Sequence, residues 1–248
     1  MAGFLEVREL AKDFGGLHAV AGLDLDLEDN ELLCIIGPNG CGKTTFFNLL
    51  SGALPPSAGT IDFDGHAIAG LAPYAVSRLG IGRKFQVPGI YGALSVRENL
   101  DVPLFARAGR RGLRGLFAGR GPGGRVAELL HLTGLTDKAD QPAGELAHGE
   151  KQWLEIAMLL AMEPRLMLLD EPTAGMTGAE TEATAELLLR IHRETAIAAI
   201  VIEHDMGFVR RLGCPIAVMM SGRLLTRGSY DEISADPAVR KAYLGTRR

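Results

Sequence analysis

The stretch Leu32-Leu-Cys-Ile-Ile-Gly-Pro-Asn-Gly-Cys-Gly-Lys-Thr-Thr-Phe-Phe-Asn-Leu-Leu50 decides how this chain is read. Leu32 to Ile36 is a continuous apolar run, the pattern of a strand buried on both faces. Gly37-Pro-Asn-Gly-Cys-Gly-Lys-Thr44 follows and matches G-x-x-x-x-G-K-[ST], a phosphate-binding loop. Its glycines let the backbone curl so that successive N–H groups converge on phosphate oxygens. The helix expected from Lys43 to Leu50 adds the positive potential of its N-terminus. Lys43 is suited to reach the β- and γ-phosphates, and the Thr44 hydroxyl to coordinate Mg2+. An apolar strand, a glycine turn and a helix in this order point to a nucleoside triphosphate site.

On the N-terminal side, residues 4–36 read as strands. Leu23-Asp-Leu-Asp-Leu-Glu28 alternates at period two, which predicts a half-buried, antiparallel strand. On the C-terminal side, Leu166–Leu169 and Ile197–Ile202 are further buried-strand candidates, separated by a helical segment from Ala179 to Arg193. Strands alternating with helices predict an α/β fold with a parallel-sheet core. Between about Leu94 and Met162 the patterning is helical, notably over Val126–Leu132 and Lys151–Met162. Within it, Ala106 to Gly124 carries a glycine density that reads as a mobile loop rather than a helix.

Composition agrees with a globular chain. Of the 248 residues, 47% are hydrophobic and 23% charged, which excludes general disorder. A formal net charge of −4 argues against a nucleic-acid partner. That figure hides an asymmetry, because Arg107, Arg110, Arg111, Arg114, Arg120 and Arg125 lie in one stretch without an acid, leaving −10 for the remainder. Apolar runs such as Ala196–Ile202 fall far short of the ~20 residues that a bilayer-spanning helix needs. Charges within Met1 to Arg8 speak against a signal peptide. Cys34, Cys41 and Cys214 are too few and too scattered for a disulfide or zinc framework, so a reducing cytoplasm is expected.

Leu166-Met-Leu-Leu-Asp-Glu-Pro172 is the second piece of chemistry. An apolar strand ending in two carboxylates sets them at the C-terminal edge of the sheet, where α/β proteins hold ligands. Asp170 is suited to orient Mg2+ through water, and Glu171 to polarise the attacking water as general base.

With these two motifs in place, nearly the whole chain resembles the nucleotide-binding subunit of an ABC transporter. Leu146-Ala-His-Gly-Glu-Lys-Gln152 stands where that family has its LSGGQ signature, so Leu146, Ala147, His148, Gly149 and Glu150 are the signature candidates. Gln86, in Arg83-Lys-Phe-Gln-Val87, corresponds to a loop glutamine that touches Mg2+. His204, in Val201-Ile-Glu-His-Asp205, corresponds to the switch histidine beside the γ-phosphate. Phe14 takes the place of the aromatic residue that stacks on adenine, with Val20 also assigned to the nucleotide. The phosphate loop contributes Gly37, Pro38, Asn39, Gly40, Cys41, Gly42, Lys43, Thr44 and Thr45. The resemblance implies one ABC ATPase domain over 1–248. Residues 1–93 plus 163–248 would form the ATPase core and an antiparallel β subdomain, and about 94–162 a helical subdomain carrying the signature.

The resemblance also implies ATP and Mg2+ as ligands and a head-to-tail pairing with a second ATPase subunit. Further implied partners are two membrane permeases and, indirectly, an extracytoplasmic solute-binding protein, at the cytoplasmic face of the inner membrane. Three departures from the family pattern stand out. Ala147 replaces the signature serine, Glu150 replaces the glutamine, and Thr177 replaces the aspartate ending the loop after the acidic pair. Cys41 sits inside the phosphate loop, where a helix N-terminus lowers a thiol pKa and favours alkylation.

Gly175-Met-Thr, Glu203-His-Asp-Met206 and Ala242-Tyr-Leu-Gly245 resemble importers of branched-chain amino acids and amides. Within that class, His148 to Ile156 and Ala174 to Thr177 resemble the first ATPase subunit of urea importers. Urea or a short amide is therefore the expected cargo, with branched-chain amino acids the alternative. The competing classes are a soluble ABC ATPase of DNA repair or translation and an unrelated phosphate-loop kinase or GTPase. The Arg/Gly stretch reads either as a solvated loop or as a contact to anionic lipid headgroups.

Overall fold

A computed structural model describes residues 3–84, 89–110 and 122–244. Strands β1 (Leu5–Phe14) and β2 (Leu17–Leu27) form an antiparallel hairpin. Gly15 and Gly16 at its tip both have positive φ, as a tight turn matching the strand twist demands. Leu23, Leu25 and Leu27 are buried and Asp24, Asp26 and Glu28 exposed, as the period-two pattern predicts. β1 also pairs with β4 (Ala58–Phe63), which carries the short β5 (His66–Ala67), giving a four-stranded antiparallel sheet.

The second sheet has six strands. β3 (Leu32–Ile36) lies between β8 (Ala198–Ile202) and β9 (Ile216–Met220), and all three run parallel. β7 (Leu166–Asp170) and β6 (Ile81–Lys84) continue the sheet beyond β8 in parallel, and β10 (Arg223–Gly228) closes the other edge antiparallel. Every residue of β3, β7 and β8 is buried, as their unbroken apolar runs require. The C-terminal ends of these three neighbours therefore deliver three loops side by side.

Helix α1 (Lys43–Leu50) follows β3, and α2 (Pro73–Leu79) precedes β6. α3 (Val96–Arg110), α4 (Pro122–Thr133) and α5 (His148–Ala161) fill the middle of the chain. α6 (Gly178–Thr195), α7 (Met206–Leu212), α8 (Tyr230–Ala235) and α9 (Pro237–Leu244) complete the structure. Both ends of the stretch expected to be a mobile loop, Ala106 to Gly124, are helical. α3 runs through Gly109 because alanine and arginine around it favour the helix. α4 starts at Pro122, a residue suited to a first helical position. Residues 111–121, with the remainder of the Arg/Gly reading, lie outside the described residues.

Side chains alternate across β3. Leu33 and Ile35 join Phe46, Phe47 and the antiparallel sheet in one core. Leu32, Cys34 and Ile36 join a second core that also holds Val96 and Leu100 of α3, Leu129 of α4 and Leu154 and Ile156 of α5.

Candidate active site

The loop between β3 and α1 is fixed by close backbone approach. A Cβ on Gly37 would lie 2.2 Å from the Met219 carbonyl oxygen. One on Gly42 would lie 2.2 Å from that of Ala19, and Gly42 adopts φ 107° in addition. Only glycine fits either position. Lys43 is buried, and its ammonium donates to the carbonyls of Gly37 (2.8 Å) and Pro38 (3.0 Å), so its charge is held at the mouth of the loop. The Thr44 side chain is exposed at the start of α1.

A cavity of about 810 Å³ opens over this loop. Asn39, Gly40, Gly42, Lys43, Thr44 and Thr45 form its floor, and Phe14, Leu17, His18 and Ala19 of the hairpin form one wall. Glu171 and His204 line it from the ends of β7 and β8, and Ser221 and Gly222 from the β9–β10 turn. Phe14 is 45% exposed, with the Lys12 ammonium 5.3 Å from its ring centroid, so a flat partner has access to the ring only beside or in place of that cation.

Asp170 ends β7 fully within the protein. Its Oδ2 accepts from the Arg83 guanidinium at 3.4 Å, while Oδ1 has no hydrogen-bond partner among the described residues. Burial pushes this carboxyl up from its ordinary pKa, and the neighbouring Glu171 adds to that. The Arg83 charge and, more weakly, Lys43 oppose it. Arg83 is itself held by the Ser51 hydroxyl (3.1 Å) and lies over the Phe47 ring, its centre 5.7 Å from the ring centroid. Glu171 takes a left-handed backbone, φ 48°, that aims its side chain into the cavity mouth, and its N–H donates to Ile202 at 2.9 Å. Glu171 Oε1 lies 2.8 Å from His204 Nε2.

A hard, oxygen-seeking cation such as Mg2+ fits this donor set, because a buried carboxylate with an open oxygen and an exposed threonine hydroxyl flank the phosphate loop. Gln86, the third expected ligand, lies outside the described residues.

The signature candidates line a different surface. Leu146 is buried in the core. Ala147 is the N-cap of α5, and its N–H donates to Glu150 Oε2 at 3.0 Å. His148 Nε2 lies 2.9 Å from the Ala174 carbonyl oxygen, and the Gly149 N–H donates to Glu180 at 3.3 Å. None of these residues borders the cavity over their own chain's phosphate loop.

Two expectations need correction. Val20 is fully buried in the core beneath the hairpin, and its neighbour Ala19 faces the cavity instead. Cys41 is buried, and burial pushes its thiol up, outweighing the pull of Lys43. The Lys43 ammonium donates to the Cys41 sulfur at 3.9 Å, but it also serves the Gly37 and Pro38 carbonyls, and the burial of the thiol outweighs that contact. Leu17, Ser221 and Gly222 escaped sequence reasoning. An exposed leucine three residues after Phe14 was the only signal, and the β9–β10 turn carried none.

A phosphate loop at the end of a central parallel strand, with a buried aspartate and a Glu–His pair on the two strands beyond it, defines an ABC-type ATPase. The chain belongs to the ABC transporter ATP-binding family: residues 20–174 match the model of the ABC transporter family, and residues 223–248 that of the branched-chain amino acid ATP-binding cassette transporter. It is similar to the high-affinity branched-chain amino acid transport ATP-binding protein BraF of Pseudomonas aeruginosa, 38% identical with 97% of each chain covered. LivG of Escherichia coli K12, which carries the same description, is also 38% identical over 97% of both chains. The methionine import ATP-binding protein MetN of Leifsonia xyli is 34% identical, covering 99% of this chain and 72% of that one. Among solved structures, the ADP conformation of an ABC transporter cassette superposes with TM-score 0.84 at 27% identity, covering 99% of this chain and 100% of the other. A nucleotide-free cassette gives 0.83 at 26% identity, covering 98% and 99%.

Proposed function

We propose that this chain is the ATP-hydrolysing subunit of an importer for branched-chain amino acids. The observation that carries the catalytic part is the single cavity shared by the phosphate loop, Glu171 and His204. The chain's relatives favour branched-chain amino acids over urea as cargo, since BraF and LivG are described as branched-chain amino acid transport proteins.

In this reading the phosphate-loop amides and Lys43 bind the triphosphate, and Phe14 stacks on the base. Thr44, Asp170 and Gln86 would hold Mg2+, which when bound would neutralise charge developing on the phosphates. Glu171 accepts the proton of the attacking water. His204, held 2.8 Å from Glu171, orients that carboxylate and contacts the γ-phosphate. Leu146–Glu150 do not line the cavity over the chain's own phosphate loop, which suits a head-to-tail pairing in which they complete the ATP site of a second ATPase subunit. Residues 94–162 act as the helical unit that carries this signature, and 1–93 with 163–248 as the nucleotide-holding core.

No described helix is long and apolar enough to cross a membrane. Two permease subunits and a solute-binding protein complete the assembly, and the chain sits peripherally at the cytoplasmic face of the inner membrane.

The test is reconstitution of this chain with its co-purifying membrane subunits in proteoliposomes. Leucine with its binding protein should stimulate ATP turnover and be imported, and urea should do neither. Stimulation by urea alone would overturn the cargo assignment. ATP turnover unaffected by Lys43→Ala would overturn the catalytic one.

A further inference from the structure

β7 and β8 pair in register, Asp170 opposite Ile202, so the residues that follow them run side by side. Glu171 and His204 meet across that gap. Between the two loops lies Glu203, 3% exposed and with no access to the cavity surface. Both of its carboxylate oxygens are engaged. Oε1 accepts from the Thr173 backbone N–H (3.0 Å) and from the Thr173 hydroxyl (2.6 Å). Oε2 accepts from the His204 N–H (2.9 Å). The Glu203 N–H donates to Ile35 in β3, the strand that ends in the phosphate loop.

A carboxylate at this depth is unfavourable unless its oxygens find donors, and an apolar residue would continue the run of β8 without that penalty. What the carboxylate supplies is a link between two loops whose other side-chain tie, among the described residues, is the Glu171–His204 contact itself. Hydrogen bonds to a charged acceptor are short and directional, so the link fixes distance as well as proximity.

We propose that Glu203 is a positioning residue: its carboxylate ties Thr173 to the backbone of His204 and so sets Glu171 and His204 at the separation that hydrolysis needs. The proposal rests on the reading of Glu171 and His204 as the hydrolytic pair. Glu203 does not line the cavity over the phosphate loop, so it acts through the residues it holds.

The test uses the complete transporter and measures steady-state ATP hydrolysis for E203Q, T173V and T173S, with E203Q also combined with H204A. Glutamine keeps the shape but presents an NH2 where one loop offers an N–H, so one of the two ties is lost. A misplacement of about 1 Å can lower a rate ~100-fold, so E203Q should reduce kcat ~10- to 100-fold with the KM for ATP nearly unchanged. T173V should lower kcat in the same way and T173S should restore most of it. In the H204A background, E203Q should have little further effect, because the residue acts through His204.

A wild-type kcat for E203Q, or an equal E203Q effect with and without His204, would overturn the proposal. So would a loss in which KM and kcat change together and T173S brings no recovery. If E203Q does not fold, the Thr173 pair decides alone by the same criteria. H204A turning over at the wild-type rate would remove the reading of the pair, and the proposal with it. A slow H204A beside a normal E203Q would remove only the proposal.

Discussion

Three helices begin on nearly the same backbone but not with the same side chain. Thr177 (φ −70°, ψ 163°) opens α6 and Ser229 (φ −68°, ψ 165°) opens α8. Each hydroxyl accepts from the N–H three residues on, at 3.3 and 3.4 Å, and donates to that residue's glutamate at 2.8 Å. Ala147 (φ −60°, ψ 161°) opens α5 with the return half of the box only, its N–H donating to Glu150. Ala147→Ser supplies the missing half without moving the backbone. A serine N-cap is worth ~1 kcal/mol over alanine, within a range of about 0.5–2. For a chain of this size each kcal/mol raises Tm by ~2–4 °C. Thermal unfolding of the nucleotide-free chain should therefore show Ala147→Ser melting ~2–4 °C higher. An unchanged or lowered Tm would refute the capping argument. If the signature meets a second subunit's ATP site as proposed, the same hydroxyl can turn to the γ-phosphate there. A bond to a charged group contributes ~1.5–3 kcal/mol, less the Glu150 contact given up, so turnover should rise by up to ~10-fold. Unchanged turnover would refute that half independently.

Gly42→Ala forces a Cβ to within 2.2 Å of the Ala19 carbonyl at φ 107°. The backbone strain alone costs on the order of 1–3 kcal/mol. A lower denaturant midpoint together with lost ATP binding is expected, and an unaltered midpoint refutes the close approach. Cys41 should react slowly with maleimide at pH 7, faster as pH rises, and fastest after unfolding, since burial raises its thiol. Mass spectrometry showing free-thiol rates at pH 7 in the folded chain would contradict this. Glu171→Gln should leave ATP binding intact while turnover falls ~100- to 10,000-fold, the usual contribution of a positioned base; a small loss would reassign the base. Glu98, Glu180 and Glu232 are held below the usual carboxylate range by backbone N–H and hydroxyl donors. Their folded pKa values lie below the unfolded one, so their stabilisation is present above about pH 4.3 and fades as pH falls through the lower folded values. Acid titration of unfolding midpoints should accordingly fall less steeply in Glu180→Gln than in the wild type.

Local chemistry was legible in the sequence wherever it is contiguous. Leu32–Leu50 shows a strand, loop and helix because the apolar run, the glycines and the lysine act within one turn of chain. Asp170 and Glu171 were readable for the same reason. What escaped depends on distant partners. Val20 and Ala19 differ by one step along a strand, and the pleat sends adjacent side chains to opposite faces, so a register choice made by the whole sheet decides which one meets the cavity. Cys41 looked activated because its helix is visible in the sequence and its burial is not. Glu203 beside His204 gave no hint, since its partner Thr173 lies 30 residues earlier. Ser221 and Gly222 reach the site only because β9 stands next to β3.

The alternation of β3 between two cores bears on how the molecule comes apart. Leu32, Cys34 and Ile36 are packed with the helices of the middle region, and Leu33 and Ile35 with α1 and the antiparallel sheet. Melting either side exposes half of the same strand, and the phosphate loop loses its anchor in both cases. The helical region and the sheet should therefore unfold in one calorimetric transition, with calorimetric and van't Hoff enthalpies equal. Added nucleotide, gripped at the end of that strand, should shift the entire transition upward as one unit.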